Sequence, residues 1–591
     1  MPELHLDLTA CHQHLVRVRL LHTPRHLSLR LALPAWTPGS YLIRDYVRQL
    51  ESLEITQAGH QLEPRRTSPS SWQLELPSLE PVEISYAVLA AELTVRTCHL
   101  DGDHGFLALA AVVLELEGER WSPHRLQLSL PPSWDAFVPL PELQGPAKGW
   151  LAADFDQLID TPIEVGPHRP HHFSVAGVPH RWVSWGRDLQ GADLLDSDPQ
   201  LLSDLEKVCL ACCRLMGVER PAADHYLFVL HLTESGYGGL EHDCSTVLQF
   251  GRLALAKPGG RRKLLQLAAH EYLHQWNVRR LRPAELSPYR YDQAVVVPTL
   301  WFAEGITSYV DQLLPHCAGC SSEAELLEDL GADLSRYLLS AGRRLQSLRA
   351  SGEEAWVKLY RPDAYSPNSQ VSYYLKGAVL ALVLDLHLRR AGSGLPVVLR
   401  QLWASHGAVG RGYREADLIA AFASQAPDLA ELLPRWLSSC EDPPLFGYLA
   451  DMGLRLEPRL AASQELGCRL EPGSGGLVVQ RVGRDGPAQR AGLVVGDEWI
   501  ALDGLRLRSI DDLMVQLRPE APLIPHQLLF CRDGLVRSTV LLPTAPAVES
   551  WQLQLNPSTA DLGTADLGTA DLGTAEVCAE RRRRWLGLEA A

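Results

Sequence analysis

Apolar and polar residues alternate along the first part of the chain: Val16, Val18 and Leu20; Leu27, Leu29, Leu31 and Leu33; Val82, Ile84, Tyr86 and Val88; Leu126, Leu128 and Leu130. Side chains two apart share one face of a strand, so this period predicts half-buried antiparallel strands and an all-β domain over residues 1–170. Pro131-Pro132 interrupts the pattern, and the proline-flanked stretch 162–170 sets its end. From Asp198 the period becomes helical. Leu201, Leu205, Val208, Cys212 and Leu215 fall on one face, with Ser197 or Asp198 available as a cap. A strand over Tyr226–Leu232 and helices near 261–277, 298–313, 324–348, 370–390 and 415–424 complete an α-rich domain over residues 171–451. A smaller glycine-punctuated module occupies 455–545. Beyond it, Thr559-Ala560-Asp561-Leu562-Gly563 recurs from 564 and 569. One large apolar side chain in five cannot bury a core, so residues 546–591 are expected to form a disordered low-complexity tail. Within that tail Arg581–Arg584 reads as a solvated charge run.

Composition narrows the function classes. A hydrophobic content of 46% with 21% charged residues is that of a folded globular chain, and 591 residues exceed a single core. The formal charge of −16 excludes general nucleic-acid binding, which depends on neutralising phosphates. The most apolar stretch, Gly377–Leu384, stops at Asp385, far short of the roughly 20 residues of a spanning helix, and residues 1–20 lack a signal-peptide pattern. No membrane association is expected. Twelve cysteines are too sparse for a disulfide scaffold, which agrees with thiols in a cytoplasmic enzyme.

The sharpest chemistry is His270-Glu271-Tyr272-Leu273-His274. On a helix, positions i and i+4 share a face, so both imidazoles reach one Zn²⁺ while Glu271 stands beside the open coordination position. A catalytic zinc takes three protein ligands and a water. The third is sought in Leu300-Trp301-Phe302-Ala303-Glu304-Gly305-Ile306-Thr307, where Glu304 is a lone carboxylate among apolar residues. The alternative is a Glu304 paired with Arg279 or Arg282. Cys209, Cys212 and Cys213 with Cys317 and Cys320 offer enough thiolates for a second zinc site, but the first group adjoins the apolar stripe and reads as core. His168, His171 and His172 lack ligand spacing and read as surface imidazoles in a proline-rich joint.

Four strings carry a resemblance: Trp36-Thr37-Pro38-Gly39-Ser40-Tyr41 with Arg44-Asp45; Gly238-Gly239-Leu240-Glu241-His242; His270 to Pro283; and Leu300 to Thr307. Together they resemble the PDZ-containing glycyl aminopeptidase family of zinc metallopeptidases, over about residues 1–545. The resemblance implies a multidomain α+β chain: an N-terminal all-β domain, a thermolysin-like α-rich catalytic domain and a C-terminal PDZ domain. The last rests on Gly475-Gly476-Leu477-Val478-Val479, Gly486-Pro487-Ala488, Ala491-Gly492-Leu493 and Gly496-Asp497, with Leu466-Gly467-Cys468 at the carboxylate-loop position. Such a domain adds a peptide to a sheet edge, here a candidate peptide C-terminus, unless it is a docked spacer.

Zinc on His270, His274 and Glu304, with Glu271 as general base, agrees with that resemblance. Tyr374-Leu375-Lys376-Gly377 resembles the string whose Tyr donates to the oxyanion in gluzincin aminopeptidases, with Tyr373 as the neighbouring alternative. Gly238, Gly239 and Glu241 resemble the amine-binding strand, although Leu240 replaces Met and His242 replaces Asn. Asn277 is placed to orient a ligand from behind. Arg279, Arg280 and Arg282 read as scaffold rather than as partners of a product carboxylate. The implied reaction removes a small first residue, Gly or Ala, from peptide substrates. The alternatives are an endopeptidase whose PDZ domain captures substrate C-termini, and a non-catalytic peptide-binding scaffold.

Overall fold

The computed structural model describes residues 1–144, 148–556 and 569–588. The chain forms two compact units. The first comprises Met1–Val297, Leu313–Ser321 and Pro396–Ala421; the second comprises Pro298–Gln312, Ser322–Leu395 and Phe422–Ala591.

In the first unit the period-two runs are strands. Leu15–His22 and Val82–Leu89 lie side by side in a seven-stranded sheet, and Leu15–His22 buries Val16, Val18 and Leu20 at alternate positions. Two four-stranded sheets accompany it, one ordered Asp135–Phe137, Pro162–Gly166, Gly105–Ala108, His99–Leu100. The region read as α-rich opens instead with a five-stranded sheet: His171–Val175, Val178–Gly186, Tyr226–Thr233, Ser245–Gly251, Tyr237–Glu241. Its three central strands are parallel to one another and Tyr226–Thr233 is buried at seven successive positions, so polar residues never alternate. Parallel strands covered on both faces lack the period-two signal, and only Tyr226–Leu232 was legible. Tyr237–Glu241 is the antiparallel edge strand. The helix Gly260–Leu273 packs against it, against Ser245–Gly251 and against the helix Leu201–Met216.

The second unit is helical up to Asp451, with the helix Tyr373–Arg390 buried along most of its length. This segment, counted from Ser366, is the one among the described residues with the length and hydropathy to cross a bilayer. It is 83% buried within the protein. Its Asp385 is fully buried, accepts from Tyr309 Oη at 2.8 Å and pairs with Arg389 at 3.1 Å. Residues 468–541 make a six-stranded sheet closed by the short helices Pro487–Arg490 and Ile510–Gln516 around Leu477, Val479, Trp499, Leu502, Leu513 and Leu528.

The end of the chain corrects the expectation of a disordered tail. Val548–Leu555 is a strand, paired antiparallel with Leu454–Leu460 and laid on the helix Glu323–Leu339, where Trp551 N–H donates to Ser335 Oγ at 2.9 Å. Thr569–Leu586 is a helix that buries Trp585 completely, its Nε1–H donating to Tyr309 Oη at 2.6 Å. Arg582 pairs with Glu323 at 2.6 Å and donates to the Met452 carbonyl at 2.9 Å, so the arginine run is only partly solvated. Anchors spaced this far apart leave no periodicity in a short window. The first two repeats, 559–568, lie outside the described residues.

Candidate active site

Gly259, at φ 76°, starts the helix Gly260–Leu273, and burial of Leu264, Leu265, Leu267 and Ala268 orients it. The orientation delivers His270 and Glu271 from the last turn and His274 from the position that closes it. The two imidazole centroids stand 4.7 Å apart at 86°. His274 Nδ1 lies 2.6 Å from the backbone carbonyl of Asn277. A carbonyl only accepts, so Nδ1 carries the proton and Nε2 keeps its lone pair free to ligate. The contact of Asn277 with His274 runs through its main chain rather than its amide.

Over this helix runs the edge strand Tyr237–Glu241. A methyl group on Gly239 would lie 2.2 Å from Glu271 Oε1, so only glycine lets the strand pass this close to the carboxylate. Arg96 donates to the Gly239 carbonyl at 3.1 Å and holds the strand from the other side, while Gly238 leaves open space above its Cα. Glu241 is 3% exposed, and one ligand atom from each of Glu241, Glu271 and His274 lies within 4.8 Å of the others. Glu241 Oε1 is buried without a hydrogen-bond partner among the described residues. Its roof is Gly39, at φ 81° in the Thr37-Pro38-Gly39-Ser40 turn, where a methyl group would meet the two carboxylate oxygens at 2.5 and 2.7 Å. Gly39 is not legible as a site residue in the sequence, because nothing in its string says which side chain the turn covers.

Behind the strand, Arg279 is 3% exposed and pairs with Asp160 at 2.9 Å and with Asp243 at 2.8 Å. Arg282 donates to the Arg279 carbonyl at 2.7 Å and Arg280 to the Asp243 carbonyl at 3.1 Å. Burial would raise the Asp243 carboxyl, but the charges of Arg279, Arg280 and Arg282 prevail and lower it to about 2. Asp160 also receives the Asp243 N–H at 2.8 Å and meets His242 Nδ1 at 3.1 Å. The arginines therefore fix the turn that follows Glu241, which is the scaffold role expected of them.

The other candidate residues belong to the second unit. Glu304 is 2% exposed in a π-helical turn, Trp301–Gly305, whose extra residue per turn re-aims side chains relative to a regular helix. A Cβ on Gly305 would lie 2.5 Å from Gly377 Cα, so paired glycines bring this turn against the helix Tyr373–Arg390. At the start of that helix Tyr373 is fully buried and Tyr374 half-buried; their rings stack at 4.7 Å and their hydroxyls lie 3.3 and 3.1 Å from Tyr360 Oη. Lys376 donates to the carbonyls of Arg343 and Gln346 at 3.0 and 3.1 Å, and burial lowers its pKa. Leu466-Gly467-Cys468 leads into the strand Cys468–Pro472, with the Gly467 N–H donating to Glu465 Oε1 at 2.6 Å.

Cys209, Cys212 and Cys213 are buried on the helix Leu201–Met216 as core residues, and no three-donor group among the described residues contains a cysteine. The surface reading of His168 is corrected: it lies 2.8 Å from the fully buried Glu164.

Residues 3–167 match the model of the peptidase M61 N-terminal domain, and residues 263–380 match that of M61 glycyl aminopeptidase. The aminopeptidase N family protein from Idiomarina loihiensis is 29% identical, with a TM-score of 0.89, over 99% of this chain and 100% of that one. The M1 zinc metallopeptidase from Deinococcus radiodurans is 15% identical over 75% of this chain and 94% of that one, with a TM-score of 0.47. Yeast LTA4 hydrolase in complex with bestatin is 13% identical over 75% and 68% of the two chains, with a TM-score of 0.45. None of the curated proteins matches. The chain thus carries the M61 N-terminal and glycyl aminopeptidase domains and is a metallopeptidase.

Proposed function

We propose that the protein is a zinc aminopeptidase that hydrolyses the first peptide bond of peptides beginning with a small residue, glycine or alanine. The observation that carries this reading is Glu241: a buried carboxylate with an unpartnered oxygen, beside Glu271 and His274, with Gly39 over it and its strand bonded by Arg96 at the Gly239 carbonyl. A free α-ammonium is the natural partner of such a group. Gly39 lies against it and Gly239 against Glu271, a close approach of backbone that supports a small first residue, and the family description supports glycine.

His270, His274 and Glu304 are the proposed metal ligands; the tautomer imposed on His274 by Asn277 and the imidazole and carboxylate donors suit zinc. The metal supplies Lewis acidity at the scissile carbonyl and a lowered pKa for water. Glu271 takes the proton of the attacking water and passes it to the departing amine. Tyr374, half-buried and therefore accessible, donates to the developing oxyanion, with Tyr373 packed behind it.

The module over 455–545 is proposed to be a PDZ domain with Cys468–Pro472 as its exposed edge strand. Glu465 already occupies the Gly467 amide, so a free C-terminal carboxylate would meet a like charge there. Asn368 further ties the module to the helical part by bonding the Val482 carbonyl at 2.7 Å and the Arg484 N–H at 3.1 Å. Both observations favour a docked module over capture of substrate C-termini. Residence in the cytoplasm belongs to the same proposal, supported by a cysteine content too sparse for a disulfide scaffold.

The test compares Gly-, Ala- and Leu-amides with N-acetylated glycyl peptides, alongside zinc analysis of wild type and Glu304→Ala. Cleavage of the first two amides, none of the acetylated peptide, and a Glu304→Ala protein that loses zinc and turnover together are expected. Efficient cleavage of the acetylated peptide would sink the exopeptidase reading.

A further inference from the structure

The first unit contains a second convergence of metal-ligating groups. Glu164, on the strand Pro162–Gly166, is 0% exposed. His104 Nδ1 lies 2.9 Å and His168 Nε2 2.8 Å from its Oε1, while His231 Nε2 lies 2.9 Å from Oε2. The rings are fixed from outside: Trp185 stacks on His104 at 4.1 Å and 15°, and Phe106 meets His231 edge-on at 5.0 Å. Gly166, at φ 159°, lets His168 fold back onto the strand; a methyl group there would lie 2.5 Å from His168 Nε2.

A carboxylate buried this completely needs a compensating charge. The partners of Glu164 among the described residues are these three imidazoles, with no lysine or arginine. Neutral imidazoles lend N–H dipoles but no charge, whereas a divalent cation supplies it directly. One ligand atom from each of His104, Glu164 and His168 lies within 4.8 Å of the others. Two imidazoles and a carboxylate are a zinc donor set, with metal–ligand distances of about 2.0–2.2 Å. Tetrahedral ligands at that radius stand about 3.3 Å apart, so small ring rotations would open the present 2.8 and 2.9 Å separations around an ion. A cavity of about 680 Å³, lined by Asp103, Pro167, His168, Trp185 and Asp188 among others, reaches His168 and gives an ion access.

We propose that His104, His168 and Glu164 form a second, structural zinc site, separate from the HExxH centre, with His231 orienting the carboxylate through its other oxygen. The site joins Pro162–Gly166, at the end of the β-rich region, to Tyr226–Thr233 of the five-stranded sheet, which carries His231. Three protein ligands leave room for a water, but with both carboxylate oxygens engaged no free base stands beside it, which is why the role proposed is structural.

The test uses the full-length chain with His270→Ala and His274→Ala, which disables the HExxH centre and leaves the second cluster intact. After zinc loading and dialysis this protein should retain about one zinc per chain, with X-ray absorption showing nitrogen and oxygen ligation only. A chelator should lower its melting temperature by about 5 °C, because an ion bound to the folded state alone stabilises it. Adding His104→Ala and His168→Ala should abolish the retained zinc. The proposal is overturned if the first variant holds no zinc and its melting is indifferent to chelator, which would leave a hydrogen-bonded cluster only, or if the quadruple variant keeps its zinc. The first variant alone decides the matter should the quadruple one fail to fold, and neither arm depends on the proposed aminopeptidase activity.

Discussion

The two histidine and carboxylate clusters of the first unit draw on the same donor chemistry and are built in opposite ways. His270, Glu271 and His274 come from a single helical turn, and two carboxylates, Glu271 and Glu241, stand beside His274, each proposed to act on the substrate. His104, Glu164, His168 and His231 come from two strands and two connections, and each carboxylate oxygen is already held by an imidazole. Both clusters have one partly exposed imidazole, His270 in the first and His168 in the second, but the second is gathered around a carboxylate with no exposure. A site with a free carboxylate beside it can activate a nucleophile, whereas one whose only carboxylate is engaged through both oxygens can only hold. The difference lies in what surrounds the donors and not in the donors.

The largest effect is expected of Glu271→Gln. It keeps the volume and removes the base, so turnover of a glycyl amide should fall by about 10³-fold, within the range of general-base catalysis, while zinc content stays at the wild-type level. Turnover within a few-fold of wild type would show that Glu271 is not the base. Glu164→Ala makes the complementary statement. Removing one partner of a buried polar cluster costs about 3 kcal/mol or more, so the urea midpoint should drop markedly while kcat/KM per folded molecule holds. A large loss of kcat/KM in fully folded protein would mean that the second cluster takes part in the chemistry. Glu241→Gln comes next: losing one charge-assisted contact to an ammonium costs about 2–3 kcal/mol, or on the order of 100-fold in kcat/KM, and steady-state kinetics should show most of it in KM.

How much of this could be seen in the sequence follows from the same contrast. The HExxH pentapeptide was legible because helical periodicity compresses a site into five residues, and the helix near 261–277 was readable from its apolar spacing. Glu304 stood out as a lone charge in an apolar string, although the π-helical turn that carries it has no sequence signature. The period-two strands of 1–170 were legible because one face of each meets polar surroundings. The five-stranded sheet was not: Ser245–Gly251 is buried at six of its seven positions and shows no alternation, while His180, Arg181 and Ser184 break up the apolar pattern of Val178–Gly186. The second cluster was beyond reach for the same reason: 104, 164, 168 and 231 meet only through strand register, and His168 alone looked like a surface residue. Trp585 shows a third limit, because a helix anchored by one tryptophan after a low-complexity repeat has no amphipathic pattern to find.

The smallest expected effect is also the most discriminating. Gly39→Ala would place a methyl group 2.5 and 2.7 Å from the oxygens of Glu241, closer than any stable contact, so either the turn lifts or the carboxylate moves away from Glu271 and His274. Glu271 itself is untouched by the change, so the deficit should be a KM rise of about tenfold for glycyl amides with kcat within about threefold, and unchanged zinc. Alanine at φ 81° also carries a backbone penalty of about 1 kcal/mol, which would lower stability whether or not Glu241 is displaced. Gly59 separates the two contributions: it has the same φ of 81° but open space around it, so Gly59→Ala should show the stability loss with KM unchanged. If the two variants melt alike and neither alters KM, Gly39 does not fix the position of Glu241. If only Gly39→Ala raises KM, a turn of the N-terminal β region, some 200 residues before the helix that bears the base, sets the geometry at which the substrate amine is read.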